Sequence, residues 1–158
     1  MADIDVRFLE RAIELSRQGM LSGQGGPFGC VVVKDGQIIG EGCNQVTTYN
    51  DPTAHAEVVA IRNACAALGN FQLTNCDIYT SCEPCPMCLG AIYWARPRRV
   101  IYANTKWDAA AINFDDEFIY EELDIEGPKR RIPCLHYPHP KAQEVFREWS
   151  EWEGKKAY

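Results

Sequence analysis

The chain has 158 residues, 46% of them hydrophobic, which suits one domain with a substantial core and leaves little room for a second. Its net charge of −6 argues against a large polynucleotide partner, because neutralised phosphates supply most of the free energy of such binding. No run is apolar for long enough to cross a bilayer, the first ten residues carry acids where a secretion leader carries bases, and eight cysteines at irregular spacing suggest thiols and metal in a reducing, cytoplasmic setting.

Val6, Leu9, Ala12, Ile13 and Met20 recur at intervals of three and four between polar neighbours, which predicts an amphipathic first helix ending near Gly19. The turn Gly23-Gln24-Gly25-Gly26-Pro27 leads into residues 28–33, whose β-branched run reads as a buried strand. Residues 34–37 reverse it into an antiparallel partner over 38–46. Residues 47–52 read as a loop of turn formers, after which Thr53 is placed to cap a helix carrying Ala56, Val59, Ala60, Ala64 and Leu68. Residues 76–80 read as a strand, and Pro84 and Pro86 suit the opening of a helix that continues to Ala95. Residues 100–103 form the next strand, with Arg96, Arg98 and Arg99 read as a solvated turn at its entrance. From Trp107 the pattern loosens. A last helix shows Ala142, Val145, Phe146, Trp149 and Trp152 at helical spacing, a stripe too apolar to face water that packs on its own core or on a second copy of the chain. Strands alternating with helices predict an α/β fold whose site lies where strand ends meet helix starts.

Two blocks carry chemistry: Thr53-Ala54-His55-Ala56-Glu57 and Ser81-Cys82-Glu83-Pro84-Cys85-Pro86-Met87-Cys88. One imidazole and two thiols three residues apart are the ligand set of a zinc site that keeps a fourth position for water, and Glu57 is a carboxylate placed to move that water's proton. Residues two apart do not share a helical face, so His55 and Glu57 converge on one ion only if it sits off the helix N-terminus. Cys85 and Cys88 stack in the first turn of their own helix, and two helix N-termini facing one site lower the thiol pKa values. On counting alone Cys82 leaves a closed, structural His/Cys/Cys/Cys site open. The sequence assigns no role to Cys30, Cys43, Cys65, Cys76 or Cys134.

These blocks, with Phe28, Asn44, the continuation Leu89-Gly90-Ala91-Ile92-Tyr93-Trp94-Ala95-Arg96 and Phe114-Asp115-Asp116, resemble the cytidine deaminase superfamily, and within it the bacterial guanine deaminases, over essentially the whole chain. The resemblance implies a single deaminase domain over 1–158, built as a three-layer α/β/α sandwich about a central mixed five-stranded sheet. It implies one Zn2+ per subunit on His55, Cys85 and Cys88, with Glu57 moving protons, and hydrolysis of guanine, a small purine base, to xanthine and ammonia. The positions matching Phe28, Asn44, the Ala54 backbone, Trp94, Asp116 and Tyr158 would line the purine: Asn44 pairing with its edge, Phe28 and Trp94 packing on its faces, Asp116 meeting the departing amine. It further implies a homodimer in which residues 140–158 are exchanged, so that Tyr158 closes the partner's site. A tRNA adenosine deaminase, a cytosine or nucleoside deaminase and a non-enzymatic zinc-binding protein are the other readings. The acid surplus and the Phe-Asp-Asp block lean toward guanine.

Overall fold

The computed structural model describes residues 3–158, which fall into two units, Met1–Glu117 and Phe118–Tyr158. In the first unit the Asp5 carboxylate caps α1 (Val6–Leu21) by accepting from the Arg7 backbone N–H. Strands β1 (Gly29–Lys34) and β2 (Gln37–Cys43) form a hairpin turned at Asp35 and Gly36, both at positive φ. A short helix α2 (Val46–Tyr49) and a long one, α3 (Ala56–Leu68), lead to β3 (Cys76–Cys82); α4 (Pro86–Ala95) then crosses over to the parallel strand β4 (Arg99–Asn104). The order across the sheet is β2-β1-β3-β4, with β1 antiparallel to both neighbours.

The sheet is mixed, as expected, but has four strands among the described residues where five were expected. Immediately after β4 the Thr105 hydroxyl and the Asp108 carboxylate form a reciprocal capping box that starts α5 (Lys106–Ala111), and the chain continues into α6 (Glu117–Leu123).

Alternation along β1 builds the three layers. Val31 and Val33 pack with Tyr79 against Phe8, Leu9 and Leu15 of α1. Cys30 and Val32 point the other way and join Ile78 against Ala56, Ala60 and Ala64 of α3 and Ile92 and Ala95 of α4. Small residues set how close α3 lies to the sheet: a Cβ on Gly42 would fall 2.5 Å from the Ala56 carbonyl oxygen, and one on Gly40 2.6 Å from that of Ala60. That contact fixes where the first turn of α3 sits.

Three local expectations change. Residues 47–52 are not all loop, since α2 begins at Val46 and ends at Asn50 in the left-handed conformation. Thr53 does not cap α3: both its hydroxyl and its N–H donate to the Asp51 carboxylate, and His55, in extended conformation, holds the cap position. The arginine cluster is not simply solvated. Arg98 and Arg99 both bond to the buried Asp77 carboxylate, at 2.7 and 2.9 Å, and hold it below the usual carboxylate range, Arg98 most strongly.

The second unit contains most of α6, a 3₁₀ turn (Gly127–Lys129) and α7 (Pro140–Glu151), which opens on proline. It has no buried residue, and on α7 Val145, Trp149 and Trp152 border a shallow depression. Among the described residues no helix is long and apolar enough to cross a membrane.

Candidate active site

Helices α3 and α4 deliver the chemistry in the same way. His55 is the N-cap of α3 and Cys85 the N-cap of α4, both with extended backbone, while Glu57 and Cys88 follow in the first turns. The extended cap turns the imidazole back over the helix end, which is how residues two apart reach one place. His55 Nδ1 lies 3.5 Å from the sulfur of Cys85 and 3.5 Å from that of Cys88, and the three donor atoms lie within 4.8 Å of one another. Bonds of 2.0–2.3 Å at tetrahedral angles give a nitrogen–sulfur edge of about 3.6 Å, so the donor set and its spacing fit zinc.

Cys82 does not join them. Its buried thiol turns to the Thr105 carbonyl oxygen at 3.6 Å, and burial pushes its pKa up to about 11, the opposite of a ready thiolate. The closed four-ligand alternative therefore lacks its fourth ligand. Cys85 behaves differently: a hydrogen bond from Cys88 and a second from His55 hold it down to about 4 against the cost of burial, while Cys88 is raised by keeping the shared proton. The His55 imidazole is raised, chiefly by its bond to Cys85.

Glu57 is 6% exposed. Burial raises its pKa, opposed by hydrogen bonds that include Cys88 and Thr80. The Thr80 hydroxyl lies 3.1 Å from Glu57 Oε1 and 3.4 Å from the Gly29 carbonyl oxygen. Thr80 orients the carboxylate and was missed from sequence; its signal was a hydroxyl in a strand buried along its whole length.

Several of the remaining expected residues gather near this cluster. Asn44 is buried at the end of β2, and its Oδ1 accepts from the backbone N–H of Gly26 at 3.3 Å and of Val46 at 3.2 Å. Both partners are donors, which assigns the amide: Oδ1 is engaged and the NH₂ group is the one on offer. Phe28 packs edge-on against Phe114 with ring centroids 5.0 Å apart, and Phe114 also bounds the space beside Gly26. Phe114 is a second residue missed as a contact, although it heads the Phe-Asp-Asp block. Asp116 is half-buried and its pKa is raised, first by burial and then by the Cys85 charge. Ala54 is buried, with its N–H on the Asp51 oxygen and its carbonyl accepting from Gln45. Trp94 lies six residues beyond Cys88 on α4, about 9 Å along the axis, and is 63% exposed. Tyr158 belongs to the second unit and is exposed.

The model of the cytidine and deoxycytidylate deaminase zinc-binding region matches residues 2–104. The chain belongs to this deaminase family. Guanine deaminase from Bacillus subtilis is 56% identical over 151 residues, covering 96% of this chain and 97% of that protein. The X-ray structure of guanine deaminase from Bacillus subtilis superposes with a TM-score of 0.96 at 54% identity, over 99% of each chain. A tRNA-specific adenosine deaminase from Haemophilus influenzae is 35% identical, covering 78% of this chain and 75% of its own. As a zinc deaminase of this family the chain supplies the metal cluster from its matched part, with Phe114 and Asp116 lying beyond it.

Proposed function

We propose that this chain is a guanine deaminase, converting guanine and water to xanthine and ammonia in the cytoplasm. The observation that carries the reading is that three donors and not four converge beside a buried carboxylate, a catalytic rather than a bracing arrangement. The choice of guanine is supported by the near full-length identity to the Bacillus subtilis guanine deaminase. The net charge of −6 supports it too, being a poor match to a nucleotide flipped from an RNA.

Zinc held by His55, Cys85 and Cys88 would supply Lewis-acid activation of water. Glu57 would take one proton from the attacking water and hand it to the ring nitrogen beside C2, then take the remaining proton of the new C2 hydroxyl and pass it to the departing amine. A C2–O bond forms, the C2–N bond breaks, and ammonia leaves with one proton more than the amino group carried. Asn44 donates from its NH₂ group to an acceptor on the base edge, Phe28 and Phe114 wall the flat ring, and Asp116 receives the amine.

In this reading residues 140–158 are exchanged between two subunits, so that the exposed stripe of α7 gains a cover and Tyr158 closes the partner's site. Trp94 would likewise serve across the dimer. Zinc-loaded protein offered guanine, guanosine, cytosine, cytidine and a tRNA anticodon hairpin in parallel should release ammonia fastest from guanine. Preference for the hairpin would overturn the assignment, and a monomer by light scattering would overturn the exchange.

A further inference from the structure

Asn44 presents its NH₂ group only because something fixes the other end of the amide, and the fixing traces to Gln24, a residue to which neither the sequence nor the reaction gives a part. Gln24 lies in the turn between α1 and β1 and uses every polar atom it has. Its Oε1 accepts from the Cys43 thiol at 3.3 Å and from Gln45 Nε2 at 3.2 Å, the two residues that flank Asn44. Its backbone carbonyl accepts from the hydroxyls of Thr47 at 3.2 Å and Thr48 at 2.8 Å, its N–H donates to the Gly19 carbonyl, and its Nε2 donates to Ser22. The turn is thereby tied to the segment that carries Asn44 at four points.

What the tie delivers is the next two residues. Gly25 lies so close that an added Cβ would stand 2.3 Å from Asn44 Oδ1 and 2.4 Å from its backbone oxygen, and the Gly26 N–H grips the same Oδ1. With Oδ1 held by Gly26 on one side and Val46 on the other, a flip of the amide would set NH₂ against two N–H donors.

We infer that Gln24 is a positioning residue for substrate recognition: it clamps both flanks of Asn44 so that the Asn44 amide meets the base as a donor. The role rests on the guanine reading above and deepens it. Gln24→Met keeps the length of the side chain but removes both acceptor bonds and the donor to Ser22; Gln24→Glu restores the acceptors. Loss of one or two hydrogen bonds of this kind corresponds to about a tenfold rise in KM for guanine, with kcat changed by less than about threefold because Glu57 and the ligands are untouched. Gln24→Glu should return KM to within about threefold of the parent. If Gln24→Met folds poorly, Gln45→Met, which removes only the Gln45 donor to Gln24 Oε1, should raise KM in the same direction.

A second readout does not depend on turnover. In ¹⁵N-labelled protein the Asn44 side-chain amide should give a rigid pair of resonances in the parent and in Gln24→Glu, and a motionally averaged pair in Gln24→Met. Unchanged KM with an unchanged, rigid amide in Gln24→Met would overturn the role of Gln24, as would an equal fall in kcat for all variants. A parent protein that binds zinc but never turns over guanine would instead overturn the functional reading, and the amide resonances would still decide whether Gln24 holds Asn44.

Discussion

The two units of this chain treat their apolar residues in opposite ways. Met1–Glu117 sandwiches a mixed sheet between α1 and the pair α3 and α4, and it holds every fully buried residue, including Tyr79, Ile78 and Leu73. Phe118–Tyr158 buries nothing, and its last helix leaves Phe146 80% and Trp152 56% exposed. A segment of that composition gains little from its own packing to offset the entropy of ordering it. The lesson is a division of labour: the first unit contains the chemistry and its own stability, while the second is to be judged by what it adds to the site.

That division can be broken experimentally, and the largest effect is expected at the cluster. Cys85→Ser, or prolonged chelation, should reduce bound zinc and bring ammonia release to background. Cys82→Ser should keep one zinc per subunit by metal analysis, because its thiol faces Thr105. Retained metal in the first variant, or lost metal in the second, would reassign the ligands. Glu57→Ala should keep zinc and lose roughly 10²- to 10⁴-fold in kcat, the usual worth of general acid and base work. Deleting residues 154–158 sharpens the contrast between the units: turnover should fall by about tenfold, the scale of one aromatic contact, with no change in thermal midpoint. A lowered midpoint would show that the tail serves the fold instead.

The smallest effect on activity is expected where the first unit spends charge on stability alone. Asp77→Asn removes a carboxylate gripped by Arg98 and Arg99 near the start of β3, at the opposite end of the strand from Cys85 and Cys88. It should cost about 2 kcal/mol in denaturant unfolding at pH 7 and leave KM alone. Because the folded-state pKa of Asp77 is depressed, the stabilisation is present above the unfolded value of about 3.9 and is lost as pH falls through the folded one. The gap in midpoint between parent and variant should therefore be full at neutral pH and close in acid below about pH 4.

Some features were written in local residue order. Helix α1 follows from its apolar spacing, α4 from Pro86 at its first position, and β1 from its β-branched run, because each depends on neighbours within a few residues. The convergence of His55, Cys85 and Cys88 as a candidate metal site was legible for a related reason: metal chemistry restricts residue types and spacings far more tightly than packing does. Other features depended on partners distant in sequence. Nothing near Asp77 announces that Arg98 and Arg99 will bury it, nothing near Thr80 announces Glu57, and nothing in Gly23-Gln24-Gly25-Gly26 announces Asn44. The strand count came out at four among the described residues, the chain after β4 continuing through α5 and α6.

Residue order by itself determined the mixed α/β architecture and named the three donors, His55, Cys85 and Cys88, that the fold brings together. Only the tertiary structure decided that Cys82 turns away and that the Asn44 amide has a fixed polarity. Ligand sets and helix starts are governed by bonding within a turn or two of chain. The direction in which a thiol or an amide points depends on which distant backbone groups the fold brings within about 3 Å of it.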